Sequence, residues 1–465
     1  MVPVPGDERQ DRWLFVTLVA VTTVTAVISS LGAPLVPSIA TAYGVPISTA
    51  QWVLTATLIT AAATTPALGR WASGRMRRPV VLGSLGVVLA GAVLAALPVG
   101  IGPLIVGRAL QGVGLAVAPL ALAVAREAWT GDRLVSRLSL LSVATVAGAG
   151  LGYPVTAVLA ERAGVSGAYW FGALLVSVSL VLAVRHLPRD AQGEPQPVDL
   201  PSVGMVAIGT VGLLLAVSQG DRWGWTSLPV LALVVVGGAL LGAWITRTVL
   251  VTRRGGQPLV DLRLATRPGV VGPNAVAFAL AVGMYGLLTT VVLLVRADGS
   301  AGWGLDRGVA SAGLVLVPYA LVSVIGSRVA IRVARRHGAH LLLPVGCAVF
   351  SSSMVLLAFV HDRLWQALVV MAVGGLGSGF TFSSLPMLIV PHVPPSETGS
   401  AMAFNQLLRY LGFAVGSAAS VALLVVYGGD QAAFRATLLT LAAVCLVAGI
   451  AVSSGGRPTW TRRRR

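Results

Sequence analysis

Apolar runs of about twenty residues recur from one end of this chain to the other. Short, arginine-bearing connections separate them. At 1.5 Å rise per residue, about 20 residues cross the hydrocarbon layer of a membrane as a helix. Inside that layer every backbone N–H and C=O must find its partner within the protein, so the helix is the natural solution. Apolar residues make up 56% of the chain and charged residues 11%. A soluble domain carries about 25% charge. The expected class is an all-α polytopic membrane protein, with the lipid bilayer as its first partner.

The pattern predicts fourteen spans, the first over 13–36 and the last over 434–453. Arginine placement sets the orientation. All 33 basic residues are arginine, with no lysine. With a cytoplasmic N-terminus, about 25 fall on the inner side and about 6 on the outer, as the positive-inside rule requires. Inner clusters are Arg75, Arg77 and Arg78; Arg253 and Arg254; Arg332, Arg335 and Arg336; and Arg462 to Arg465. An even number of spans then puts both termini in the cytoplasm. The same bias accounts for the net charge of +17 without a nucleic-acid partner, because the charges recur in alternate loops instead of lining a groove. The exclusive use of arginine, with much alanine, glycine and valine, points to a GC-rich bacterial genome, and the expected location is the cytoplasmic membrane.

Tryptophans fall where interfaces are expected. Trp52, Trp170, Trp223, Trp225, Trp303 and Trp365 lie near outer ends, and Trp13, Trp71, Trp129 and Trp244 near inner ends, as an aromatic belt. Cys347 and Cys445 lie within spans and match no metal spacing, so they read as packing residues. No metal or cofactor is expected.

The chain repeats itself. Gly69 and Gly326 open similar basic segments at the ends of spans 2 and 10. Gly112 and Gly114 with Pro119 echo Gly375 and Gly377 with Pro386. Gly148 and Gly152 echo Gly412 and Gly416. The offsets are 257, 263 and 264 residues. Residues 1–190 therefore read as one six-span half and 268–465 as a second, with a basic tail. Residues 191–267 hold two inserted spans, 7 and 8, with their flanking loops. Two related halves around a central site is a transporter architecture.

Two arginines stand inside spans, Arg108 and Arg409. A guanidinium stays charged and costs about 2.5–3.5 kcal/mol at mid-span. Such a group faces a protein interior or a wet cavity. Arg409 lies near enough to the inner end of its span to snorkel; otherwise it lines a cavity beside Asn405 and Gln406. Gln51, Trp52, Gln111, Tyr153, Asn274 and Tyr285 are further candidates for polar contacts in a cavity. Closely spaced glycines (Gly112, Gly114, Gly148, Gly152, Gly412, Gly416) allow helix backbones to approach. Pro154 can kink span 5.

The whole chain resembles the major facilitator superfamily, most closely its fourteen-span drug:proton antiporter branch. Leu104 to Gly114, with Arg108 and Gln111, resembles the family's span-4 motif. Gly69 to Arg78 resembles its loop 2–3 motif. Pro37, Gln51 with Trp52, Gly220 to Trp225, Pro258 to Leu262, and Asn405, Arg409, Gly412 and Gly416 resemble branch landmarks. The resemblance implies a major facilitator fold, two rocking halves, a monomer, small-molecule substrates and exchange for protons.

Departures from the pattern matter. Ser73 stands where the family has an aspartate, and Met76 where it has a glycine. The resemblance implies a cytoplasmic ionic latch, with Glu127 as its acid and Arg75 or Arg77 as partner; without the aspartate it is weaker or rewired. Tyr153 interrupts the Gly-Pro pair of the antiporter signature, and Thr156 and Ala157 replace paired glycines.

The family's span-1 aspartate is also missing. It belongs about nine residues before Pro37, where the chain reads Val27 to Leu31. All sixteen acids lie in loops, at span edges or near the N-terminus. Proton coupling normally needs a buried titratable group. Three accounts stay open. Edge acids such as Asp306 or Glu127 couple from a wet vestibule. Or Arg108 holds an anionic substrate in an exporter or facilitator without a coupling carboxylate. Or the span limits shift by a turn. The spans hold no nucleophile–base set, acid pair or histidine cluster, so a transporter is expected, with an embedded enzyme or receptor as the remote alternative. A wide apolar cavity with few polar contacts suits hydrophobic or amphipathic substrates such as drugs or secondary metabolites.

Overall fold

A computed structural model of the chain describes residues 8–32, 35–45, 47–50, 52–189, 199–256, 258–297 and 302–455. Those residues are almost entirely helical. The long helices are α1 (Glu8–Ser30), α2 (Trp52–Trp71), α3 (Arg77–Ala96), α4 (Ile101–Gly112), α5 (Val117–Ala128), α6 (Gly131–His186) and α7 (Leu200–Trp223). They continue as α8 (Leu228–Arg253), α9 (Val271–Arg296), α10 (Leu316–His337), α11 (Leu342–Phe359), α12 (Leu364–Ile389), α13 (Thr398–Val426) and α14 (Gln431–Gly455). Among the described residues, 13 helical segments are long and apolar enough to cross a membrane. The predicted fourth span is one of them, Ile101–Ala128, in which a 3-10 turn at Val113–Ala116 joins α4 to α5.

The expected spans 5 and 6 run together as α6. The chain breaks at Gly164, whose φ of 70° and ψ of −179° lie outside the helical region. Only glycine adopts that conformation without strain. This break lies between the expected spans 5 and 6.

The chain divides into two compact units. One comprises Met1–Leu262 with Val393–Leu407; the other comprises Arg263–His392 with Leu408–Arg465. In the first unit α7 and α8 cross at a glycine pair. A Cβ on Gly209 would lie 3.0 Å from the Gly237 carbonyl, and one on Gly237 would lie 2.9 Å from that of Gly209. An ion pair reinforces this crossing. Arg247 donates from Nε and Nη2 to the Asp199 carboxylate at 2.9 and 2.8 Å, and Ser202 donates at 2.6 Å. The Arg247 hydrogen bond, helped by Ser202, holds the Asp199 carboxyl below the usual carboxylate range against the opposing effect of burial.

Both units pack helices through glycine. In the first unit Gly148 of α6 packs on α1, where a Cβ would stand 2.8 Å from the Thr23 carbonyl. In the second unit Gly412 packs on α9, 2.6 Å from the Phe278 carbonyl by the same measure. Each glycine thus seats a neighbouring helix of its own unit. Small residues let backbones meet where lipid supplies no hydrophobic drive between helices. The outward surface is apolar: Leu228, Val235 and Val236 of α8 are all exposed. Such a surface is stable only in lipid.

The aromatic belt needs correction. Trp13, Trp71, Trp170, Trp223, Trp225 and Trp365 are exposed, as interface anchors should be. Trp129, Trp244 and Trp303 are buried. Trp129 donates to the Asp11 carboxylate. Trp303 donates to the Gly429 carbonyl at 3.0 Å and stacks on Phe434. Internal partners outcompete the interface for these rings. Trp52 is half-buried.

Candidate functional site

Arg108 has no solvent exposure, and neither has Gln111 one turn on. Local packing explains how a guanidinium comes to rest there. Gly107 of α4 sits against α3, where a Cβ would lie 2.6 Å from the Gly91 carbonyl and 2.7 Å from the Ala95 nitrogen. Gly112 sits as closely against the Thr57 carbonyl of α2. With both neighbours drawn in, side chains on α4 reach the backbones of other helices. Arg108 Nη1 donates to the Ile28 carbonyl at 3.0 Å and to Gln111 Oε1 at 2.7 Å. Its Nε donates to the Val53 carbonyl at 3.3 Å. Gln111 Nε2 donates to the Gly91 carbonyl at 3.2 Å, and the Thr57 hydroxyl to the Arg108 carbonyl at 3.1 Å. The Tyr169 ring lies 5.9 Å from Arg108 Cζ. Every acceptor in this set is neutral. Among the described residues no carboxylate forms an ion pair with Arg108.

Arg409 has a different setting, in the second unit. Its Cζ lies 4.1 Å over the Phe382 ring and 5.9 Å from that of Phe413. Tyr285 stacks on Phe413 with centroids 4.4 Å apart. Tyr410 meets Phe413 edge-on at 6.3 Å. Arg409 and Tyr285 are half-buried, whereas Phe382, Phe413 and Tyr410 are buried. Phe382, Phe413 and Tyr410 escaped the sequence reading. Only Tyr410 and Phe413, one and four positions after Arg409, carried a local signal; Phe382 lies on α12 and carried none.

The Gly69–Arg78 segment is held by charge pairs. Of the two partners expected for Glu127, Arg77 is the one it meets; Arg77 is buried and also donates from Nε to the Ala72 carbonyl at 3.0 Å. Arg75 is exposed. Arg78 donates to the Val184 carbonyl at 2.8 Å. Ser73 is buried at the start of the 3-10 turn Gly74–Met76. The sequence reading missed the second ion pair: Arg70, 2% exposed, donates to both carboxylate oxygens of Glu397 at 2.8 and 3.0 Å. Gly69 beside it permits this approach, since a Cβ there would lie 2.6 Å from Ala403 Cβ. Glu397 precedes Thr398 at the start of α13, where the helix dipole favours an acid.

Other candidates are scattered. Asn274 and Asn405 are buried and Gln406 is half-buried. Gly114 packs on Val88 of α3, Gly416 on the Val282 carbonyl of α9, and Gly152 is buried on α6. Tyr153 and Pro154 also lie on α6, but their side chains are outside the described set, as is the whole of Gln51. Asp306 is exposed in the loop after α9, held at φ 47° with its N–H bonded to the Ala297 carbonyl at 2.9 Å.

Known proteins agree with this architecture. The Major Facilitator Superfamily profile matches residues 18–417 and, in a second match, 275–459. The multidrug transporter protein MdtP of Bacillus subtilis is 24% identical over 379 residues, 79% of this chain and 66% of that protein. The chain thus spans just under two thirds of that relative's length. A probable actinorhodin transporter of Streptomyces coelicolor is 25% identical, covering 85% of this chain and 69% of the relative. The crystal structure of the human organic anion transporter MFSD10 superposes with a TM-score of 0.67 at 15% identity, over 95% of this chain and 99% of that one. The structure of the proton:xylose symporter XylE gives 0.64 at 15% identity, over 94% of each chain. These relatives are transporters, and the chain is a multi-pass membrane protein. By profile, helical architecture and fold, it belongs to the Major Facilitator Superfamily.

Proposed function

We propose that this protein is a secondary active transporter that exports hydrophobic or amphipathic small molecules across the bacterial cytoplasmic membrane by alternating access. In this reading it has fourteen spans, cytoplasmic termini, two six-span halves (1–190 and 268–465) and an inserted pair (191–267), and works as a monomer. The rewired cytoplasmic motif carries the proposal: Arg77 with Glu127, and Arg70 with Glu397, hold α2, α3, α5 and the start of α13 by charge pairs of the kind a conformational latch requires. The relatives named as multidrug and antibiotic transporters support drugs or secondary metabolites as cargo. Proton antiport is the drive that the family resemblance favours.

A second reading has its own observation. Among the described residues Arg108 donates to Ile28, Val53 and Gln111, all neutral. An exporter or facilitator of anionic compounds needs no coupling carboxylate beside it. Flux in proteoliposomes of the purified protein, with and without an imposed pH gradient, separates the two. Export that follows the gradient supports antiport. Export indifferent to its collapse rules antiport out.

A further inference from the structure

We propose that His361 is a proton-binding site that fastens three connections of the second unit when neutral and releases them when charged. This rests on the orientation proposed above, which puts those connections on the outer face, and it gives proton exchange a titratable group. The three connections converge on one ring. His361 lies between α11 and α12, and its ring is 4.9 Å from that of Phe434, in the first turn of α14. Trp303, from the connection between α9 and α10, stacks on the same Phe434 ring at 4.9 Å and 19°. Trp303 Nε1 donates to the carbonyl of Gly429, between α13 and α14, at 3.0 Å. Trp303, His361 and Phe434 are all buried. The connection that carries Trp303 is folded back on the end of α9: the N–H groups of Leu305, Asp306 and Arg307 donate to the carbonyls of Leu294, Ala297 and Val295 at 2.9, 2.9 and 2.8 Å. Asp306 holds φ 47° there, a region that residues other than glycine seldom adopt. A strained turn persists only where its surroundings hold it, and the burial of Trp303 on Phe434 does so.

The imidazole is set to break this arrangement when it gains a proton. Nδ1 faces the Leu357 carbonyl at 2.9 Å, so it carries the ring's one proton in the neutral state and Nε2 presents a lone pair. Nε2 is buried and has no hydrogen-bond partner among the described residues. A second proton adds an N–H donor and a charge where neither is received. Asp362, exposed on the same connection, favours that proton, and half-buried Arg435 of α14 opposes it. Asp430 is committed to the Ala433 N–H at 2.8 Å, and Asp306, Arg307 and Arg363 are exposed. A charged ring gains some attraction from Phe434, but its Nε2–H finds an acceptor only by turning out to water. That movement uncovers Phe434 and loosens the seat of Trp303.

Amide hydrogen exchange on the purified full chain in lipid nanodiscs tests this. Between about pH 7.5 and about pH 5.5, the amides of Leu305, Asp306 and Arg307 are expected to lose protection about fivefold, after correction for the intrinsic pH dependence of exchange, while those of α3 keep theirs. Unchanged protection at 305–307 overturns the site. His361→Phe keeps an aromatic ring and removes the titration, so protection there should no longer depend on pH; a wild-type response in that variant also overturns it. If His361→Phe loses its melting transition, two charge variants decide the question. Asp362→Asn should move the midpoint of the wild-type response to lower pH, and Arg435→Gln to higher pH; a midpoint unmoved in both refutes the assignment. Flux in proteoliposomes separates this inference from the export reading. The exchange response in a protein that moves no compound keeps the site and sinks export, whereas export with pH-independent protection at 305–307 does the reverse.

Discussion

Arg108 Nη1 donates to the main-chain carbonyl of Ile28 at 3.0 Å, at the position along α1 where the family resemblance places an aspartate. A carbonyl dipole therefore stands near where a carboxylate was expected. Three acceptors share the cation, none charged. Arg108→Ala removes these charge-assisted hydrogen bonds, although the Val53 carbonyl keeps the Thr57 hydroxyl at 2.9 Å; each buried acceptor left without a donor costs about 1–3 kcal/mol. The expected outcome is loss of transport with normal membrane insertion and a clear drop in melting temperature. Arg108→Lys keeps the charge but not the planar fork, and should retain little flux. Wild-type flux in Arg108→Ala would show that the cation has no part in transport.

The Arg70–Glu397 pair predicts a charge-specific phenotype. Glu397→Gln leaves a guanidinium that is 2% exposed without its counter-charge. Breaking a buried pair costs about 3–5 kcal/mol. Thermal unfolding in detergent should register that loss and vesicle flux should fall. The double exchange Arg70→Glu with Glu397→Arg should recover part of both. No recovery would mean that the two side chains act through other neighbours.

Glycine substitutions should divide sharply by site. A Cβ on Gly416 would overlap the Val282 carbonyl of α9, and one on Gly379 the Ser323 carbonyl of α10. Neither backbone can yield without separating helices. Gly416→Ala and Gly379→Ala should lower expression or melting temperature. Gly83→Ala and Gly86→Ala on α3 meet nothing within 4 Å and should be neutral or slightly stabilising. Equal effects in the two groups would contradict the close helix contacts.

His361 predicts acid sensitivity. It lies outside the spans, 2% exposed, with Nδ1 donating to the Leu357 carbonyl at 2.9 Å and its ring 4.9 Å from that of Phe434. Nε2 has no hydrogen-bond partner among the described residues. Burial pushes its pKa below the ordinary histidine value of about 6.5. The Leu357 contact and Asp362 oppose this, and Arg435 adds to it. The unfolded chain therefore binds the proton first as pH falls, so stability is full above about 6.5 and is lost below it. Melting temperature should drop between pH 7 and pH 5, and His361→Phe should flatten that part of the profile. An unchanged slope in the variant would assign the acid sensitivity elsewhere.

The helices, their membrane setting and the paired glycines were legible in the chain because each rests on local rules: span length, apolar content and small-residue spacing. Arg108 was legible for the same reason, as a charge where none is cheap. Its partners were not. Ile28 and Val53 contribute only backbone oxygens, and any residue type presents those, so composition holds no trace of them. The partner of Glu127 was narrowed by sequence to Arg75 or Arg77, and burial of one and exposure of the other settled the choice. The Arg70–Glu397 pair, 327 residues apart, was invisible because nothing in either local stretch points to the other. The aromatic surface around Arg409 arises from α9, α12 and α13, and no single stretch announces it. What the sequence determined by itself is a helical membrane transporter fold with two misplaced-looking cations. Only tertiary packing decided that one cation is satisfied by carbonyls and the other stacks on rings, because that choice depends on which helices approach closely enough to share a side chain.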